Sequence, residues 1–221
     1  MYKSKYINMK TDCDYLLLIL NCEKYRNKAL IQKQLWLHYL PENIKYYHII
    51  GNKEKCQNET IVIDEKERII YTNTNDDYNS LPSKVITALQ GVNQHFNFKY
   101  IFKTDDDQQL VKPQFFHQLP NIINSIQSHY GGYNVEVPDH ISSYYMVHDC
   151  LPRDLLLKAC KYCNGRFYFL SKEAVTHLIT KKTSIEKHII EDHAIGLYLD
   201  DKYKANMMNF DTRKIFIDHI I

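Results

Sequence analysis

The chain has almost no excess of either charge: 28 Lys and Arg stand against 26 Asp and Glu, a formal net charge of +2 in 221 residues. So even a balance gives no electrostatic reason for nucleic acid as the partner. Long apolar runs are missing as well. Tyr15–Leu20 is apolar throughout but far short of the roughly 20 residues that cross a bilayer. Asn21, Cys22 and Glu23 follow it directly, with no small-residue cleavage site, so neither a signal peptide nor a membrane anchor is expected. Cys160 and Cys163 form a Cys-x-x-Cys pair without the second pair that completes a zinc site. The six cysteines therefore read as reduced, mostly buried thiols, and the expected location is cytoplasmic. No internal repeat or long linker interrupts the chain. A polar segment, residues 1–14, carrying Lys3, Lys5 and Lys10, leads into one domain, residues 15–221, long enough to bury a sizeable core. Tyrosine is abundant, with 18 residues, alongside much Asn, Lys and Ile. Such usage follows AT-rich coding, as in some large DNA viruses and protists; a viral origin makes the location a host cytoplasm.

The most informative stretch is Tyr100–Asp107, an apolar run of strand character ending in three consecutive carboxylates. Adjacent carboxylates repel one another and are costly to desolvate, so this end of the strand is not core. A divalent cation removes the conflict, and hard oxygen ligands suit magnesium, manganese or calcium. In an extended segment Asp105 and Asp107 face one side and Asp106 the other, giving an Asp-x-Asp clamp with a middle carboxylate free for another partner. The plainer alternative is an acidic solvent loop after an edge strand.

Around this stretch the chain alternates strands and helices. Tyr15–Leu20 is a central parallel strand by its continuous apolarity. A helix is expected over residues 26–39, with Ala29, Leu30, Lys33, Leu37 and Leu40 on its inner face and Pro41 ending it. A short strand, residues 46–50, completes a β-α-β start. Arg26 stands where the first strand hands over to the helix, and an Arg beyond a strand's carboxyl end reaches a phosphate or simply meets solvent. Pro82 suits the first turn of a helix ending near Phe96, and Pro113 opens another running to about Ser128. Residues 130–133 read as a turn into a strand. Ser142–His148 is aromatic and lines an acceptor side or packs as an ordinary strand. Ser171 is placed to cap the helix that carries Ala174, Val175, Leu178 and Ile179.

The motifs together resemble glycosyltransferase family 31, the β-1,3-galactosyltransferase and Fringe-like enzymes. Lys103-Thr104-Asp105-Asp106-Asp107 is similar to that family's Lys-Thr-Asp-Asp-Asp, which binds a divalent metal and the diphosphate of a nucleotide sugar. The stretch from Tyr25 to Trp36 looks like its first helix. Residues 76–84 resemble Asp-x-Tyr-x-Asn-Leu-Thr-x-Lys, with Asp76, Tyr78, Leu81 and Lys84 in register, but Ser80 and Pro82 depart from it. Lys84 there contacts the donor or neutralises the acidic cluster. Residues 162–171 resemble Tyr-x-x-Gly-x-x-Tyr-x-Leu-Ser; Gly165 suits close backbone passage by a ligand, while Arg166 and Phe167 stand where further glycines are common. Glu191-Asp192-His193 looks like Glu-Asp-Val, and the resemblance makes Asp192 the catalytic base and the late His219 a metal ligand. It covers the chain discontinuously from about Leu16 to His219.

The expected fold is α/β, GT-A-like (Rossmann-like), a mixed and mostly parallel sheet flanked by helices in a single domain. The resemblance implies a UDP-sugar donor, a glycan or glycoprotein acceptor, and Mn2+ or Mg2+ held by Asp105, Asp107 and His219. Arg26, Asp76, Lys84, Asp105, Asp106 and Gly165 are the donor-binding candidates, and inversion through Asp192 the expected course. A carbohydrate-binding module on the same scaffold and a metal-dependent phosphohydrolase are the rival readings.

Overall fold

Tyr15–Leu20 (β1) is buried at every residue, as a continuous apolar strand must be when helices cover both faces of its sheet. A computed structural model describes residues 10–218 and places β1 inside an eight-stranded sheet. The other strands are β2 (Ile44–Gly51), β3 (Ile61–Asp64), β4 (Ile69–Thr72), β5 (Tyr100–Asp105), β6 (Tyr130–Val137), β7 (Cys160–Ser171) and β8 (Met208–Asn209). Their spatial order is β8-β6-β7-β5-β1-β2-β4-β3. The block β5-β1-β2-β4 is parallel, whereas β7 runs antiparallel to both β5 and β6. This is a mixed, mostly parallel sheet in a single α/β domain. Thr11–Asp12 pairs with Phe96–Asn97, so the end of the polar leader joins the fold.

Helices form two layers. On one face α2 (Leu81–His95), α4 (Lys172–Thr180) and α5 (Glu191–Tyr198) pack Val85, Leu89, Val175 and Ile195 against Leu16, Leu18 and Ile101. On the other, α1 (Arg26–Leu35) and α3 (Phe115–Ile126) meet an aromatic layer of Tyr15, Trp36, Phe102, Phe116, Phe167 and Phe216. Pro82 occupies the first turn of α2, where its missing N–H costs little. Ser171 caps α4 by accepting from the Ala174 amide at 3.2 Å.

Two expectations change. The inner face of α1 is Ala29 and Gln32, continued by Trp36 just past its end, while Leu30 is 58% exposed, so the helix is rotated from the phase its leucines suggest. Gly131 and Gly132 do not turn the chain; they lie inside β6. A Cβ on Gly131 would come within 2.6 Å of the Phe169 ring, and one on Gly132 within 2.6 Å of the Phe167 carbonyl. These glycines serve close strand packing. Among the described residues, no helix is long and apolar enough to cross a membrane.

Candidate active site

The chain leaves β1 for β2 on one side, while β5 lies on the other, so the order reverses between β1 and β5. Open α/β sheets bind ligands beyond the carboxyl ends of strands at such a reversal. Leu20 is in register with Asp105, and the strands end level. A cleft of about 550 Å³ opens there, lined by Asn21 and Cys22 after β1 and by Asp105–Asp107 at the end of β5.

Strand alternation does not arrange the three carboxylates. β5 stops at Asp105, and Asp106 and Asp107 form a turn into the short strand Gln108–Leu110, so all three line the cleft. Helix α1 props this turn from below: Gln32 Nε2 donates to the carbonyls of Asp105 (3.1 Å) and Gln108 (2.8 Å), and Trp36 Nε1 donates to Gln108. The polar inner face of α1 thus buries the turn's backbone oxygens with partners. Gln108 Nε2 in turn donates to Asp107 Oδ1 at 2.7 Å and to Asp218 Oδ1 at 2.8 Å.

Burial pushes the Asp105 carboxyl up to about 6, against the pull of Lys103, with Asp107 and Glu191 adding repulsion. Burial likewise raises Asp106 to about 7, against the pull of Lys28 at 3.5 Å and with Asp105 and Asp107 repelling it. No three His, Cys, Asp or Glu side chains form a ready-made metal cage among the described residues. Yet crowded carboxylates that resist ionisation are an oxygen donor set that a hard divalent cation relieves, and in that respect the residues fit one.

Lys103, 4% exposed in its side chain, is the hub of the site. Its ammonium touches Asp105 Oδ1 at 2.8 Å, Glu191 Oε2 at 3.1 Å and the Gly165 carbonyl at 2.7 Å. Burial works against its charge, but Asp105 and Glu191 outweigh that and raise its pKa. Glu191 is buried and also accepts from the Tyr168 hydroxyl. Both Glu191 and Asp192 line the cleft, but Glu191 is committed to Lys103 and Tyr168, leaving Asp192 as the carboxylate of α5 without a side-chain partner among the described residues. Asp192 Oδ2 accepts from the Gly165 amide at 2.7 Å and Oδ1 from its neighbour His193 at 2.8 Å. Burial raises its pKa, with Lys103 and these two amides holding the rise back. Gly165 lies where β7 slips register between Cys163 and Tyr168. A Cβ there would stand 3.3 Å from Asp192 Oδ2 and 3.4 Å from Lys103 Nζ, so a side chain would crowd the hub.

Asp76 and Lys84 also line the cleft, at its foundation. Asp76 accepts from the amides of Gly51 (2.8 Å) and Glu23 (2.7 Å) and from Lys84 Nζ (2.6 Å), which also donates to the Asn21 carbonyl. Lys84 is 1% exposed, so it is no solvated helix lysine. Arg26 is not brought to the cleft: it is exposed and ion-paired with Glu23 at 3.3 Å. Lys28, which the sequence did not single out, takes the place beside Asp106. His219 lies outside the described residues; the strand before it pairs Asp218 with Gln108, next in sequence to Asp107.

The galactosyltransferase family model matches residues 23–210. Among solved structures, the chain is similar to a glycosyltransferase involved in the glycosylation of the major capsid of PBCV-1. The identity is 12% and the TM-score 0.52, with 94% of this chain and 93% of that one covered. It is similar also to the mannosyltransferase Ktr4p from S. cerevisiae, at 9% identity and a TM-score of 0.50, over 93% of this chain and 70% of that one. At these identities the likeness is one of fold, that of the GT-A glycosyltransferases. No curated protein matches the sequence.

Proposed function

The chain belongs to the galactosyltransferase family, and from that premise we propose that it moves a hexose or N-acetylhexosamine from a UDP-sugar to a hydroxyl of a glycan or glycoprotein, inverting the anomeric centre and forming a β-1,3 linkage. As a glycosyltransferase it handles a sugar donor and an acceptor. One observation carries the finer reading. The acidic end of β5 and the carboxylate of Asp192 face one cleft from different elements, each with its own partners, so they can serve opposite ends of a displacement.

At the donor end, Asp105 and Asp107 would hold Mn2+ or Mg2+, which when bound offsets the charge of the leaving diphosphate. Lys28 adds a positive charge beside Asp106 at the same end. Asp106 would orient the ribose or the donor sugar. At the acceptor end, a carboxylate has about four lone-pair sites, and two on Asp192 are taken by the Gly165 and His193 amides. Those bonds fix the carboxylate and leave it able to accept the acceptor's O–H. Asp192 takes that proton as the oxygen bonds to the anomeric carbon and the bond from that carbon to the diphosphate breaks. The raised pKa of Asp192 makes it a stronger base than a free carboxylate. One base on one side and a leaving group on the other suit a single displacement, hence inversion.

A screen of nucleotide sugars with manganese, with and without saccharide acceptors, tests this. UDP release that requires both a UDP-sugar and an acceptor is the expected result. Glycan binding without turnover, or phosphate release without an acceptor, would replace it with a binding module or a phosphohydrolase.

A further inference from the structure

Tyr78 and His148 reach the cleft from opposite flanks and stack on each other, ring centroids 4.2 Å apart and planes 26° from parallel. Tyr78 stands on the short turn before α2, fixed by Asp77, whose carboxylate accepts from the Ser80 amide at 2.9 Å. His148 belongs to the segment after β6. There Tyr144–Met146 forms a single helical turn, not the aromatic strand its composition allows. A small apolar cluster of Leu151, Leu157 and Ile190, with Tyr145 and Ile189 packed on it, fastens this segment to the residues just before Asp192. The stack therefore stands between the donor-side turn and the element that carries the base. Tyr78 keeps 36% of its surface exposed although His148 covers one face of its ring, so open aromatic surface remains inside a polar cleft.

We infer that the open side of the Tyr78–His148 stack is the platform for the acceptor's sugar ring, a hexopyranose that lays one C–H face against it while its reacting hydroxyl meets Asp192. Aromatic faces carry negative charge and attract the polarised C–H bonds on one side of a pyranose, while the ring hydroxyls point outward to polar groups. The surroundings agree with an acceptor over a donor. The donor's diphosphate belongs at Asp105–Asp107 and Lys28, and the His148 segment is attached to the Asp192 side. Burial raises the Tyr78 hydroxyl pKa to about 12, with Asp192 and then Asp105 adding to it, so the ring stands within reach of the base and of the acidic end of β5. The inference rests on the reading of Asp192 as the acceptor-side base.

The test is saturation-transfer difference NMR on the full chain with the methyl pyranosides of galactose, glucose, mannose, N-acetylglucosamine and fucose, without nucleotide. At least one sugar should receive saturation mainly on the protons of one ring face. Tyr78→Ala and His148→Ala should each weaken its binding about three- to tenfold, in keeping with one lost aromatic contact, and Tyr78→Phe less than about twofold. UDP affinity with manganese, measured by calorimetry, should stay within about twofold in all three variants. The platform is overturned if no pyranoside receives saturation, if transfer is uniform around the ring, or if folded alanine variants bind sugar as the wild type does. Failure of the wild type to bind UDP instead counts against the donor site and leaves the sugar result to stand by itself.

Discussion

Replacing Asp192 with Asn separates a catalytic base from a backbone anchor, because the structure assigns a different size to each effect. Both carboxylate oxygens accept a backbone N–H, from Gly165 at 2.7 Å and His193 at 2.8 Å. Asn offers one carbonyl and one NH2, so one of those amides loses its acceptor and faces a donor. Leaving a partly buried amide unpaired costs about 1–3 kcal/mol. For a chain of this size that lowers Tm by roughly 2–4 °C per kcal/mol. Folding should therefore survive with a modest, measurable loss. Kinetics should change far more, since removing a general base lowers turnover by about 10² to 10⁴. The assay pairs thermal melting with kcat at saturating donor and acceptor, well below the melting transition, and adds UDP affinity with manganese by calorimetry. Asp192→Asn should lose turnover, keep UDP binding and melt several degrees lower. A variant that melts as expected but keeps kcat within about threefold of wild type would show that Asp192 only tethers the Gly165 bulge, and the base would have to be sought elsewhere.

Three further outcomes are expected. EDTA should abolish transfer and manganese restore it, while Asp107→Ala stays folded but binds manganese more weakly by calorimetry; full turnover by metal-free protein would end the cation reading. Lys84→Met should lower stability by about 3 kcal/mol, because removing one partner of a buried pair strands the other, and a melting temperature within a degree of wild type would refute the pairing with Asp76. His48 is fully buried with neither ring nitrogen bonded among the described residues, and burial depresses its pKa from 6.5 to about 3. The unfolded chain then binds the extra proton below 6.5, so stability falls as pH drops. Between pH 7.5 and 5 the loss is about 2 kcal/mol, and denaturant titrations of wild type and His48→Leu should diverge by that amount; a constant difference would exclude it.

Much of this fold was legible because parallel strands covered on both faces spell themselves as apolar runs, as Tyr15–Leu20 and Tyr100–Phe102 do. The acidic turn was legible for the opposite reason, since three adjacent carboxylates have no place in a core. The phase of α1 was not. Leu30, expected on the inner face, is exposed, and Arg26, a phosphate candidate for its place at the hand-over from β1 to the helix, points to solvent. The true inner face runs through Ala29, Gln32 and Trp36, where Gln32 and Trp36, spaced four apart, meet the carbonyls that the turn after β5 offers. A Gln and a Trp N–H at that spacing were the available signal. The glycines of β6 misled for a related reason: a turn and a tight strand contact both call for a missing side chain, and only the neighbouring Phe167 and Phe169 distinguish them.

Lys103 was the hardest residue to assign a role from sequence, and it explains why the Lys-Thr-Asp-Asp-Asp segment works as a unit. In a strand, residues two apart share a face, so Lys103 and Asp105 point together into the cleft while Thr104 turns to the opposite face and donates to the Arg166 carbonyl at 2.7 Å. The strand therefore builds in its own counter-ion two residues before its first carboxylate. That ammonium is shared with Glu191, so Asp105 and the start of α5, where Asp192 sits, are held by one charge. It does not neutralise the site. Seven acidic side chains line the cleft against four basic ones, and Lys84 is already committed to Asp76 and Arg166 to Asp218. Among the described residues, the partner of Asp107 is a neutral amide, that of Gln108. Asp105–Asp107 thus hold more negative charge than Lys28 and Lys103 offset, which a cation at the end of β5 can relieve, while Asp192 keeps its two backbone amides.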